Sequence, residues 1–142
     1  MITIEHQDED LNFSFSRGGF CLVESCLYIS IEGEAQGEDP YPPSLLFAVS
    51  GYPINIEEKK HEFRLESNGR YEQPYACFYT TFHSNHVIAD VETMFRNNDQ
   101  LSVVFSVLSD DVNYYNEKAK PNVTKGTVIL NRLPIDELVI PS

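Results

Sequence analysis

Apolar residues recur at every second position along much of the chain, and this alternation constrains the fold more than any other feature. Leu11, Phe13 and Phe15 alternate with polar residues, and the segment 101–107 repeats the pattern. Successive side chains of a β-strand point to opposite faces of its sheet, so a period of two predicts strands with one face in a core. The segment 20–32 is predicted in this way to be one long strand.

Turn-forming residues separate the predicted strands. The segment 33–43 contains two Gly and three Pro together with acidic residues, which indicates an exposed acidic loop. The pair Asn68-Gly69 supplies the positive φ angles that a tight turn requires. Residues 62–66 and a return strand through Tyr75 and Cys77 are therefore predicted to form a β-hairpin.

One segment departs from the period of two. Its apolar residues follow the spacing of an amphipathic helix, and they are Val87, Ile88, Val91, Met94 and Phe95. Ser84 or Asn85 is available as the N-cap. The spacing predicts a short α-helix over residues 85–97.

These patterns predict a mainly β protein, either a β-sandwich or a partly open barrel of about seven to nine antiparallel strands, with one short α-helix near residues 85–97. A length of 142 residues fits one globular domain spanning residues 1–142. The predicted core residues are Val23, Leu27, Ile29, Phe47, Val49, Leu65, Phe78, Val103, Phe105 and Ile129.

The charge of the chain restricts its partners. Asp and Glu total 22 against 10 Lys and Arg, so the formal net charge is −12 and the pI is near 4.6. Nucleic acids and anionic membranes both favour basic surfaces. The composition therefore predicts no nucleic-acid or membrane partner and favours a basic protein.

Cysteine usage points to a reducing compartment. Cys21, Cys26 and Cys77 cannot all pair within one chain, and no apolar run follows a basic N-terminal stretch as in a secretory leader. We therefore expect a cytoplasmic protein with reduced thiols. On one long strand, the odd separation of Cys21 and Cys26 would place their side chains on opposite faces of the sheet.

The sequence contains no pattern typical of a catalytic site. His83 and His86 could chelate a metal ion only if further ligands joined them, and no second pair stands at a diagnostic spacing. Neither a Gly-x-Ser-x-Gly elbow nor a phosphate-binding glycine loop is present. We expect no cofactor, no metal and no enzymatic activity.

Carboxylates next to tyrosines provide the candidate binding residues. Tyrosine contributes contact area at protein interfaces, and acidic residues accelerate association with a basic partner. Two segments combine the two residue types. They contain Glu34, Glu38, Asp39 and Tyr41, and Asp110, Asp111, Tyr114 and Tyr115.

Two hypotheses of function follow. In the first, the chain is a binding protein that neutralises a basic protein, with an immunity protein that blocks a toxin nuclease as the favoured case. Small size, strong acidity and missing catalytic motifs are typical of such inhibitors. In the second, it is a structural or scaffolding β-sandwich whose acidity serves solubility. The sequence leaves the oligomeric state open.

Overall fold

Ten β-strands make up most of the chain that the computed structural model describes, namely residues 1–6, 9–34, 42–50, 60–67, 74–79, 86–109 and 122–138. The strands are β1 (Ile2–His6), β2 (Glu9–Phe13), β3 (Phe15–Val23), β4 (Cys26–Gly33), β5 (Ser44–Val49), β6 (His61–Ser67), β7 (Tyr75–Tyr79), β8 (Val87–Asn97), β9 (Gln100–Ser109) and β10 (Asn122–Asn131). A 3₁₀ turn, Ile135–Glu137, follows β10.

The strands form two antiparallel sheets. A six-stranded sheet has the order β2-β1-β10-β9-β8-β6, and a four-stranded sheet has the order β3-β4-β5-β7. The mainly β prediction is confirmed, with ten described strands in place of seven to nine.

The core lies between the two sheets. Phe20 of the four-stranded sheet meets Phe95 of the six-stranded sheet edge to face, with ring centroids 5.8 Å apart, and Phe47 lies 6.3 Å from Phe105. All four rings are at most 2% exposed. Burying a side chain of this size contributes about 1.5–3 kcal/mol, so these contacts join the sheets into a sandwich.

The predicted helix over residues 85–97 is wrong, since residues 87–97 form strand β8 and the described residues contain no α-helix. Strand β8 pairs with β6 on one side and β9 on the other. Its inward side chains include the small Ala89 and the polar Thr93, both fully buried, whereas the apolar Met94 faces solvent. The apolar Ile88 also lies on the outward parity, so these side chains together obscure the alternation and produce an apparent helical spacing.

The predicted long strand over residues 20–32 is in fact two strands. Glu24 and Ser25 have φ angles of 48° and 65° and reverse the chain between β3 and β4, where Val23 pairs with Cys26. Two consecutive positive φ angles are typical of a type I′ hairpin turn. Neither residue is Gly or Asn, so the usual sequence signal of this turn is missing.

The predicted hairpin between residues 62–66 and the strand through Tyr75 is also wrong. Strand β6 pairs with β8 in the six-stranded sheet, while β7 pairs with β5 in the four-stranded sheet. The turn residues Asn68 and Gly69 lie outside the described residues.

Eight of the ten predicted core residues are buried. The two exceptions are Val23, which is 37% exposed, and Ile129, which is 47% exposed. Ile129 alternates along β10 with the buried Val128 and Leu130, so its side chain lies on the opposite face of the sheet.

In the four-stranded sheet, the described side chains of β5 and β7 are buried on both faces. A second apolar cluster on the face away from the main core contains Leu46, Ala48, Tyr75 and Cys77. All six residues of β5 are buried. Strand β7 carries apolar residues on both faces, and its four described side chains are buried.

Candidate functional site

Of the eight predicted binding residues, the structure describes Glu34. It is exposed and follows β4 directly, and its backbone N–H donates a 2.7 Å hydrogen bond to the Ser14 carbonyl oxygen. The other predicted residues lie outside the described residues, and they are Glu38, Asp39, Tyr41, Asp110, Asp111, Tyr114 and Tyr115. Their role stays a prediction.

The strands that flank the two predicted loops can nevertheless be located. Ser109 and Asn122, which flank residues 110–121, pair with each other at one end of the six-stranded sheet. Gly33 and Ser44 flank residues 34–43, and the Gly33 N–H donates a 3.0 Å hydrogen bond to the Pro43 carbonyl oxygen. The positions at which residues 34–43 and residues 110–121 leave and rejoin the sheets are therefore known, and we call these positions the bases of the two loops.

Strand direction places both bases at the same end of the sandwich. Phe20 forms a parallel bridge with Arg132, so β3 runs in the same direction as β10, away from Asn122. Strand β4 is antiparallel to β3 and returns toward that end, where it finishes at Gly33. We call this end, defined by Gly33, Ser44, Ser109 and Asn122, the loop end.

The opposite end is the one at which β5 finishes, since its last residue, Val49, pairs with Leu27 near the start of β4. It holds the β3–β4 turn at residues 24–25 and the β8–β9 turn at residues 98–99. The segment after β10 packs there as well, because Arg132 donates through Nε and Nη2 to the Asn98 carbonyl oxygen at 2.8 and 2.6 Å. We call it the turn end.

The second candidate surface is the outer face of the six-stranded sheet. Alternation along β8, β9 and β10 directs one set of side chains into the core and the other into solvent. The outward set includes four of the seven exposed large hydrophobic residues described, namely Met94, Val104, Leu108 and Ile129. The sequence indicated the two on β9, because Val104 and Leu108 are apolar although they alternate with the inward apolar residues of that strand.

Three aliphatic side chains of this outer face are direct cross-strand neighbours. Ile88 of β8 pairs with Leu108 of β9, and Leu108 pairs with Val123 of β10. Leu108 is 43% exposed, and the other two are partly exposed. We call Ile88, Leu108 and Val123 the aliphatic row; it lies one residue from the loop end.

A shallow groove of about 900 Å³ crosses the middle of the outer face. Its floor consists of short side chains on the central strands, including Val104, Ser106 and Thr127. Arg64 borders it on one side and Lys125 on the other. The groove is open and lined by side chains of both charge signs.

Ion pairs neutralise the two cations beside the groove. Arg64 donates through Nε and Nη2 to the two carboxylate oxygens of Asp90 at 2.8 and 3.1 Å. This hydrogen bonding lowers the pKa of Asp90 and raises that of Arg64. Lys125 donates to the Glu5 carboxylate, which raises the pKa of the lysine.

Of the two histidines considered as metal ligands, the structure describes His86. His86 lies 3.0 Å through Nε2 from Oε1 of Glu66, and His83 lies outside the described residues. Within the described ranges, no three His, Cys, Asp or Glu side chains are grouped as metal ligands.

All three cysteines lie in described strands, are buried and take part in no disulfide. The expectation that Cys21 and Cys26 lie on opposite faces is wrong. The turn at residues 24–25 pairs Cys26 with Val23, which is on the same face of β3 as Cys21. Burial raises the pKa of the Cys21 thiol.

Comparisons with family models, with curated proteins and with solved structures found no match to this chain. In the ranges that the structure describes, no helix has the length and apolar character to cross a membrane.

Proposed function

We propose that the protein is a non-enzymatic, acidic binding protein of the cytoplasm that neutralises a basic protein, with a toxin nuclease as the favoured partner. The net charge of −12 supports a basic partner. A nuclease domain needs a basic surface to hold its substrate. An acidic inhibitor that covers this surface would exclude the nucleic acid.

The observation that carries the proposal is the common position of the two loop bases. The two segments that combine carboxylates with tyrosines are both attached at the loop end, although they are distant in sequence. Residues on both segments can therefore contribute to one contact surface. Tyrosines would supply buried contact area and carboxylates would attract the partner.

The test compares equal charge changes at the two ends of the sandwich. The loop variant replaces Glu38, Asp39, Asp110 and Asp111 with the corresponding amides. The control variant makes the same type of change to four exposed acidic residues at the turn end, which are Glu24, Asp99, Asp136 and Glu137. Both variants carry the same net charge, so only the location of the lost carboxylates differs.

The binding partner for the test is the basic protein that this chain captures in a pull-down from its source cell, and association is followed by surface plasmon resonance at low and high salt. We expect the loop variant to associate at least about tenfold more slowly and with a weaker salt dependence, while the control changes little. In the nuclease assay, the loop variant should inhibit less.

Equal binding by both variants would contradict the proposed contact surface. A native partner that is itself acidic, or self-association without any partner, would contradict the proposed function and favour the scaffolding hypothesis.

A further inference from the structure

The aliphatic row is an exposed apolar strip that the fold does not use for its own core. Its members face away from the inner side chains of β8 and β9, which pack between the sheets. With neighbouring strands about 4.8 Å apart, the row extends about 10 Å across three strands. An extended segment of about three residues has the same length.

Carboxylates stand at both ends of this row. Following the same register outward, Glu66 of β6 neighbours Ile88, and Glu5 of β1 neighbours Val123, with Asp10 of β2 beyond it. Among the described residues, the ammonium group that borders the row is that of Lys125; it is paired with Glu5, and Asp10 also acts on its charge. The surroundings of the row are therefore net negative.

We infer that the aliphatic row is the apolar centre of the surface that binds the basic partner, and that it takes a partner segment with an apolar side chain flanked by Lys or Arg. This inference rests on the proposed function. An apolar contact enclosed by polar residues that exclude water is the usual arrangement of the strongest contacts in protein interfaces. The row also lies directly beside the loop end, so both surfaces can face one partner.

A second copy of this chain fits the row poorly. Because both ends of the row are acidic, either orientation of a second row places carboxylates opposite carboxylates. Like charges facing one another across an interface cost free energy, and the net charge of −12 adds repulsion between copies.

The same outer face supplies a matched control. Ile129 is 47% exposed against 43% for Leu108, but it pairs with Ser102, six residues along β9 from Leu108. That separation is about 20 Å along the strand. Two aliphatic side chains of similar exposure can therefore be compared on one sheet.

The first measurement is methyl NMR on protein labelled at Ile, Leu and Val, with synthetic peptides as probes. The probe peptide alternates Leu with Lys, a second peptide alternates Leu with Glu, and a third alternates Ser with Lys. We expect the Leu–Lys peptide to shift the methyl signals of Ile88, Leu108 and Val123 and to leave Ile129 unchanged. The Leu–Glu peptide should shift none of them, and the Ser–Lys peptide should bind more weakly.

The second measurement compares Leu108→Thr with Ile129→Thr, both of which keep a residue that strands accept. Leu108→Thr should raise the Kd of the Leu–Lys peptide roughly tenfold, as expected when a central side chain of an interface is truncated. Ile129→Thr should leave the Kd unchanged. Thermal unfolding of both variants shows whether either has lost its fold.

Equal affinities of the two variants, or equal binding of the Leu–Glu peptide, would overturn the inference. Concentration-dependent shifts of the row without peptide would overturn it in favour of a second copy. The proposed function fails by a different result, namely a native partner that is not basic, so the two failures are distinguishable.

Discussion

The two faces of the six-stranded sheet differ in what their side chains do, although both carry apolar residues. On β9, Phe105 is 2% exposed and contacts the opposite sheet, whereas its neighbour Val104 is 41% exposed. The inner face is closed by the second sheet and stabilises the fold. The outer face combines ion pairs with a short aliphatic row and is the face that we propose for binding. An apolar side chain therefore stabilises the fold on the face that the second sheet covers, and stays exposed to solvent on the other face.

The largest expected effect is a truncation on the inner face. Phe105→Ala should lower the free energy of unfolding by about 3–5 kcal/mol, because it leaves a cavity opposite Phe47. Val104→Ala on the outer face should cost less than about 0.5 kcal/mol. Urea denaturation of both variants measures the difference. Similar losses for the two would show that the faces are not energetically distinct.

A smaller effect is expected at a buried hydroxyl. Thr124 is fully buried on the inner face, and its Oγ1 has no hydrogen-bond partner among the described residues. Thr124→Val keeps the shape and removes the unsatisfied group, so we expect a gain of about 1 kcal/mol. The exposed Thr127 of the same strand is the control, and Thr127→Val should change stability little. A loss of stability in Thr124→Val would contradict this account of the inner face.

The smallest effect concerns the outer ion pair. Asp90→Asn removes the carboxylate that pairs with Arg64, but both side chains are exposed. We expect Tm to fall by only about 1 °C at neutral pH, since exposed ion pairs contribute little.

The pH dependence of that effect has a defined sign. The pKa of Asp90 is lowered by the hydrogen bonds from Arg64, so the pair stabilises the fold above the ordinary pKa of an aspartate. The contribution is lost as pH falls through the lowered pKa. The difference in Tm between wild type and Asp90→Asn should therefore disappear in acid. A difference that grows in acid would contradict the pairing.

The candidate site was predictable only in part. The exposure of Glu34 agrees with the predicted acidic loop, but the sequence does not show that the bases of the two loops share one end. That relation depends on the parallel bridge between Phe20 and Arg132, which are more than a hundred residues apart. The aliphatic row was missed because Ile88 was assigned to one face of a helix.

The errors in the fold have similar causes. Strand β8 was mistaken for a helix because Ala89 and Thr93 face the core while Ile88 and Met94 face outward. Burial beside two paired strands outweighs such a local pattern. The turn at Glu24 and Ser25 was missed because neither residue is a usual former of a type I′ turn.

The sequence by itself determined the fold class and the sign of the charge, because a period of two and an excess of carboxylates are local properties of the chain. The tertiary structure decided which sheet each strand joins and which face of each strand is covered. Those outcomes depend on pairing between distant segments, such as β1 with β10 and β6 with β8. A side chain becomes core or surface only when a partner sheet is present to exclude water from it.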